Sequence, residues 1–188
     1  DSALTLAIAN DIFNKDEIEA ILLPSIYTSD LSIQLAKQQC EILNINYSVI
    51  SIEDIDKTVN KTLEKRFNGL QNDVTEENIQ SRARGLILMS ISNKTGRVLL
   101  TTGNKSELAV GYSTLYGDMC GSFAPLKDIY KTEVYNLSKW RNQNSLVIPE
   151  AVIERMPTAE LSYDQYDIDT LPPYDVLDMI LNLFIEDK

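Results

Sequence analysis

The chain has 188 residues, of which 44% are hydrophobic, and it carries a formal net charge of −11. This length and composition suffice for one domain with a buried core. A net anion of this size is a poor general binder of nucleic acid or of anionic membranes, so we expect neither as a partner. Because the sequence contains no histidine, histidine-dependent triads, histidine zinc sites and imidazole acid–base catalysis are excluded.

Cysteine usage favours a reducing, cytoplasmic setting. Cys40 and Cys120 are far apart in sequence and lack the Cys-x-x-Cys spacing of redox and zinc motifs. Cys40 falls in helical phase with Ile33, Ala36 and Leu43, which predicts a buried thiol rather than a nucleophile. No apolar run approaches the ~20 residues that a membrane span needs.

Hydrophobic periodicity predicts alternating helices and strands in the first third of the chain. Asp1 and Ser2 are good cap residues for a helix whose apolar face includes Leu4, Ile8 and Ile12. The pattern continues with a strand at 20–24, a helix at 29–43 capped by Thr28 or Ser29, a strand at 47–52 and a helix at 53–67. Because the first helix has no strand before it, we expect a central upstream strand to be missing from this chain.

A long helix opens the rest of the chain, with Thr75 as its predicted cap and Gly96 as its predicted stop. Its predicted apolar face consists of Ile79, Ala83, Leu86, Ile87 and Ser90, and Asn78 and Arg82 line a neighbouring polar stripe. There follow a strand at 98–102, helices from 105, at 131–141 and at 174–186, a connector at 149 and a polar, mobile segment at 162–173. Strands alternating with helices predict a three-layer α/β/α fold with a mostly parallel sheet.

The stretch 98–118 carries the clearest functional signal. Its apolar strand ends at Gly103 and feeds a helix N-terminus, which points backbone N–H groups at an anion. An ordinary strand–helix turn is the alternative interpretation. Against it, the turn carries the hydroxyls of Thr101 and Thr102 and the carboxylate of Glu107, where apolar packing would suffice.

Several blocks resemble the NAD⁺ synthetase family of N-type ATP pyrophosphatases. Asp1 and Ser2 resemble the end of the Ser-Gly-Gly-x-Asp-Ser pyrophosphate loop, although the Ser-Gly-Gly itself and the strand before it are absent. The other matching blocks are 74–85, 101–107, 111–118, 123–128, 157–161 and 171–178, in the family's order. The last block, Leu-Pro-Pro-Tyr-Asp-Val-Leu-Asp, resembles the glutamine-dependent branch, whose synthetase domain follows a nitrilase-type glutaminase. The basic segment that usually follows the last helix is also absent.

The resemblance implies an adenine nucleotide alpha hydrolase-like fold, with 1–188 as one synthetase domain truncated at both ends. It implies a two-step reaction that consumes ATP. The nicotinate carboxylate of deamido-NAD⁺ attacks the α-phosphorus of ATP, and ammonia then displaces AMP from the adenylated intermediate. Mg²⁺, ammonia from glutamine or from solution, and a homodimer or higher homo-oligomer are implied as well.

The resemblance also assigns residue roles. Asp1, Glu107 and Lys131 would be catalytic, and Asp1 and Glu107 would hold Mg²⁺ through hard carboxylate oxygens. ATP would contact Asp1, Ser2, Thr102, Glu107, Lys131 and Thr158. Deamido-NAD⁺ would contact Asn78, Arg82, Glu107, Tyr112, Ser113, Thr114, Leu115 and Asp118, with Tyr112 stacking on the nicotinate ring. The residues alone leave a structural alternative open for each of these positions: a helix cap at Asp1, a solvated Glu107, an exposed Lys131 and a core Tyr112.

Three other functions compete with this one. Another pyrophosphatase-loop enzyme, such as GMP synthetase, asparagine synthetase or a tRNA thiolation enzyme, would share the front loop but not the blocks at 101–107 and 116–118. A non-catalytic nucleotide-binding or structural module would fit the shortened loop. A response-regulator-like flavodoxin fold would need acidic clusters at successive strand ends, which the sequence lacks.

Overall fold

The computed structural model describes residues 1–186. Its helices and strands are, in chain order, α1 (Ser2–Ile12), β1 (Glu19–Leu22), α2 (Asp30–Leu43), β2 (Asn46–Val49), α3 (Glu53–Phe67), α4 (Val74–Thr95), α5 (Lys105–Val110), α6 (Lys131–Asn142), α7 (Glu150–Glu154) and α8 (Tyr174–Ile185). The predicted alternation of helices and strands is confirmed as far as α4. Within the described residues, no helix is both long and apolar enough to cross a membrane.

The sheet is parallel, as predicted. β1 and β2 pair in register from Glu19 opposite Asn46 to Leu22 opposite Val49. α2 is the crossover between them, as a parallel pair requires. The boundaries differ slightly from the predicted 20–24 and 47–52, because the apolar runs continue past the last paired residues.

The strand predicted at 98–102 is wrong as a sheet strand. Leu100 forms an isolated parallel bridge with Phe123, and the N–H of Thr101 donates to the carbonyl of Phe123 at 2.8 Å. Among the described residues, this segment does not pair with β1. A cavity of about 1190 Å³ instead has both Leu22 and Leu99 in its wall. An apolar, β-branched run therefore lacked the neighbouring strand that a ladder needs.

The main core forms where α1 meets α6 and the segment that follows α6. Ala7 on α1, Leu126 before α6, and Ile148 are each at most 1% exposed and belong to one apolar cluster. Asp11 near the end of α1 accepts two 2.7 Å hydrogen bonds from Arg141 at the end of α6. α1 is thereby fixed to α6, which places Asp1 beside the start of α6.

Local capping residues account for several helix ends. Ser29 caps α2 by accepting from the N–H of Ser32 at 3.2 Å, and Gly96 ends α4 with a left-handed φ of 73°. Asp73 rather than Thr75 caps α4, so that prediction is wrong by two residues. Leu86, predicted on the buried face of α4, is 61% exposed. Cys40 is 1% exposed, which confirms a buried thiol.

The segment at 149–173 has more structure than its composition predicted. Pro149 precedes α7 instead of opening a plain connector. Asp167–Asp169 form a 3₁₀ turn, and the N–H of Asp167 donates to the carbonyl of Pro157 at 3.1 Å. Nε2 of Gln165 also donates to Oε2 of Glu77 on α4 at 3.2 Å, so this segment packs back on itself and against α4.

Candidate active site

A buried lysine bridges two carboxylates at the front of α1 and α5. The Nζ atom of Lys131 lies 2.6 Å from Oδ2 of Asp1 and 3.0 Å from Oε1 of Glu107. The Lys131 side chain is 8% exposed and each carboxylate side chain 17%. The structure thus brings together the three residues predicted to be catalytic, and the alternative of an exposed Lys131 is wrong.

Asn104 hydrogen-bonds to both Asp1 and Glu107, and the sequence did not predict this role for it. Its side chain is fully buried. Its Nδ2 donates to Oδ1 of Asp1 at 3.0 Å, and its Oδ1 accepts from the N–H of Glu107 at 3.0 Å. Asn104 therefore caps α5, orients the carboxylate of Asp1 and fixes the backbone at Glu107. An asparagine directly before a predicted helix start was the available signal.

The donor set fits one Mg²⁺ ion that is completed by substrate. Mg²⁺ is usually bound through one or two carboxylates together with phosphate oxygens and waters. Asp1 and Glu107 supply two carboxylates, and the ammonium between them shows that the position already favours a cation. Within residues 1–186, no cluster of three or more histidine, cysteine or acidic residues forms a site made of protein ligands alone.

Two of the remaining residues assigned to ATP lie beside this cluster. Ser2 and Thr102 line the same cavities as Asp1 and Glu107. Thr158 lines the larger cavity, but its hydroxyl donates to the carbonyl of Gln165.

The residues assigned to the second substrate divide into two groups. Tyr112, Ser113 and Asp118 line a cavity of about 530 Å³ together with Asp1 and Glu107. The others lie at the contact between α4 and the loop at 112–118 and do not line it; they are Asn78, Arg82, Thr114 and Leu115.

Hydrogen bonds join that contact into one unit. The hydroxyl of Thr114 donates to Oδ1 of Asn78 at 2.7 Å, and Nε of Arg82 donates to the carbonyl of Leu115 at 3.2 Å. Oδ1 of Asp118 accepts from the N–H of Thr114 at 2.8 Å. The predicted polar stripe of α4 therefore positions the loop.

Tyr112 faces a carboxylate that sequence reasoning also missed. Its hydroxyl lies 3.5 Å from Oδ1 of Asp167, whose Oδ2 accepts from the hydroxyl of Tyr174 at 2.8 Å. Burial, with the charge of Asp167 in addition, raises the pKa of Tyr112 to about 12. The phenol therefore stays neutral at physiological pH. Asp167 fastens the segment at 162–173 over Tyr112, which is itself half-buried.

Comparison with known proteins identifies relatives along the entire chain. The family model described as NAD synthase matches residues 1–188. The glutamine-dependent NAD⁺ synthetase of Xylella fastidiosa (strain Temecula1) is 53% identical over 190 residues, and that of Thermotoga maritima is 48% identical over 189. These alignments cover all of this chain but 35% and 33% of the relatives. The chain spans about a third of the length of these curated relatives.

Solved structures give the same result. The glutamine-dependent NAD⁺ synthetase of Acinetobacter baumannii, in complex with ADP, is 47% identical with a TM-score of 0.81, over 99% of this chain and 33% of that one. The NMN synthetase of Francisella tularensis is 27% identical with a TM-score of 0.79, over 87% of this chain and 66% of that one. These similarities confirm the predicted fold class.

Proposed function

Because the chain belongs to the NAD synthase family, we propose that it catalyses the ATP-dependent amidation of deamido-NAD⁺ to NAD⁺, with ammonia delivered from glutamine. The observation that carries this proposal is the ammonium of Lys131 between the carboxylates of Asp1 and Glu107. The cluster borders a cavity that also contains Tyr112. It can therefore place a cation and a triphosphate next to a flat aromatic ring.

The first step joins two anions, so its main requirement is charge neutralisation. Asp1 and Glu107 would hold Mg²⁺, which when bound supplies positive charge to the triphosphate and to the pyrophosphate that leaves. Lys131 would contact phosphate oxygens as a point charge when the nucleotide enters. No covalent enzyme intermediate is needed, because positioning and electrostatic stabilisation suffice for this transfer.

Tyr112 would bind the nicotinate ring of the second substrate. A neutral phenol offers a stacking surface without adding negative charge beside a substrate carboxylate. The contact between Asn78 and Thr114 would hold the loop that carries Tyr112, and Ser113 and Asp118 would line the pocket. The segment at 162–173 would cover the adenylated intermediate and exclude water.

We further propose that residues 1–188 form one synthetase domain of a longer polypeptide with an upstream glutaminase. Three facts support this: the relatives are about three times as long, β1 pairs on one edge only within the described residues, and that free edge lines a large cavity. A parallel strand from outside this chain would fit between Leu22 and Leu99. A cytoplasmic homodimer or higher homo-oligomer belongs to the same proposal.

The test is to incubate the full-length protein with deamido-NAD⁺, ATP, Mg²⁺ and either glutamine or ammonium, and to quantify AMP, pyrophosphate and NAD⁺. Equal amounts of all three products with glutamine would support the proposal. Turnover with ammonium but none with glutamine would favour the ammonia-dependent alternative. Formation of NMN in place of NAD⁺, when the matching mononucleotide carboxylate is offered, would point to an NMN synthetase like the Francisella tularensis neighbour. Nucleotide binding without AMP formation would favour the non-catalytic module.

A further inference from the structure

We propose that Asp178 is a positioning residue, which acts on the reaction through the backbone of Lys131. Asp178 lies on α8 and is 5% exposed, in an otherwise apolar stretch of sequence. Its Oδ1 accepts from the hydroxyl of Ser106, and its Oδ2 accepts from the N–H of Thr132 at 2.8 Å. A buried carboxylate is costly unless it is paired in this way. Both partners lie at helix starts next to the candidate active site.

These bonds complete the N-terminus of α6. The cap residue Tyr130 makes no side-chain cap bond, so the first N–H groups of α6 need other acceptors. Asp178 accepts a hydrogen bond from the N–H of Thr132, and the hydroxyl oxygen of Ser106 accepts one from the N–H of Lys131 at 2.9 Å. The negative charge of Asp178 also lies at the favourable end of the α6 dipole.

The same chain of bonds reaches both sides of the ion pair. Lys131 is the first residue of α6, and Ser106 directly precedes Glu107 in α5. Asp178 therefore fixes the start of α6 relative to the start of α5, and with it the 3.0 Å contact between Lys131 and Glu107. An ångström of displacement at such a contact is enough to change a rate by orders of magnitude.

The apolar residues of α8, and not Asp178, pack this helix against the rest of the domain. Leu177 and Leu181 pack with Tyr130 in a small buried cluster. Leu181→Ala loosens this packing but leaves the carboxylate in place. Asp178→Asn keeps the size of the side chain and removes the charge. The two variants therefore distinguish packing from positioning.

The inference rests on the proposed reaction for its rate measurements, and we test it in the full-length protein. We expect Asp178→Asn to lower kcat by about 10- to 100-fold, the range for residues that orient active-site groups. Asp175→Asn, an exposed position on the same helix, should leave kcat unchanged. Leu181→Ala should keep kcat within threefold of wild type, even if it lowers the melting temperature as much as Asp178→Asn does, or more.

A double-mutant cycle with Lys131→Met then decides the route. If Asp178 acts through Lys131, adding Asp178→Asn to Lys131→Met should lower kcat no further. The inference would be overturned if the kcat losses of the two single variants multiply in the double variant. It would also be overturned if folded Asp178→Asn keeps a kcat within threefold of wild type. If Asp178→Asn does not fold, Ser106→Ala breaks the same link from the other side and is judged by the same criteria.

Binding of Mg²⁺–ADP, measured by calorimetry, separates this inference from the proposed reaction. We expect Asp178→Asn to raise the Kd about tenfold, within the range for such orienting residues, and Asp175→Asn to leave it unchanged. A wild-type protein that makes no AMP would refute the proposed reaction. The Kd comparison would still decide the role of Asp178, since an unchanged Kd refutes it.

Discussion

Replacing Lys131 by methionine should destabilise the fold, and Mg²⁺ should restore much of the loss. At an effective dielectric constant of 20, an ammonium about 3 Å from a carboxylate gains about 5 kcal/mol of Coulomb energy. Lys131 makes two such contacts, at 2.6 and 3.0 Å. Without it, Asp1 and Glu107 face each other as like charges in a mostly buried position.

Breaking a buried ion pair by removing one partner costs about 3–5 kcal/mol. Because Asp1 and Glu107 are 17% exposed, water screens part of this, and we expect a loss of about 3 kcal/mol. For a domain of this size that lowers Tm by about 6–12 °C. Mg²⁺ at a hundred times its Kd should restore about 2.7 kcal/mol, because the ion replaces the missing charge.

The assay is thermal unfolding in EDTA and in increasing Mg²⁺. Lys139→Met is the matched control, because Lys139 lies exposed on the same helix. At each Mg²⁺ concentration, the Tm of this control should stay close to that of the wild type. The reasoning is refuted if Lys131→Met unfolds at the wild-type temperature in EDTA. It is also refuted if Mg²⁺ stabilises the control and Lys131→Met equally.

Three further perturbations test the packing and the titration of the site. Gly117→Ala should lower the free energy of unfolding in urea by about 1–3 kcal/mol, since a Cβ atom would lie 2.3 Å from Oγ of Ser81. Gly103→Ala is the control: nothing lies within 4 Å of its Cβ, so its free energy of unfolding should stay within about 0.5 kcal/mol of wild type. Leu126→Ala should lose about 2–5 kcal/mol in the same assay because its side chain is 1% exposed, and a loss below about 1 kcal/mol would contradict its place in the core. The pKa of Tyr112 is raised to about 12 in the folded protein, against 10.0 for an unperturbed tyrosine, so Tyr112 should lower stability by up to about 1.4 kcal/mol per pH unit between these values. Tyr112→Phe should make the measured slope less steep by this share, while Tyr135 and Tyr174, whose pKa values are also raised, keep theirs.

The sequence predicted the elements whose signals are local. Hydrophobic periodicity located α2 and α8 within one residue, and Ser29 and Gly96 marked helix ends through their own backbone and side-chain preferences. The strand at 98–102 failed because strand formation depends on a partner, and the run carries no information about whether one lies beside it.

The candidate site was predicted in the same uneven way. The family resemblance assigned roles to Asp1, Glu107 and Lys131, which the structure brings together. It assigned no role to Asn104, Asp167 or Asp178, because those roles depend on contacts with residues distant in sequence. Two hints were available: an asparagine directly before a helix start, at Asn104, and a carboxylate within the apolar run 176–181, at Asp178, since a buried carboxylate requires a partner.

One edge of β1 pairs with no strand within residues 1–186, and an isolated fragment of residues 1–188 would leave this edge open. An open row of backbone donors and acceptors is a template on which a second molecule can add a strand. Leu22 and its neighbours would then pair between molecules, and the average particle mass measured by light scattering should rise with protein concentration. Full-length protein, in which the proposed upstream strand covers that edge, should remain monodisperse under the same conditions.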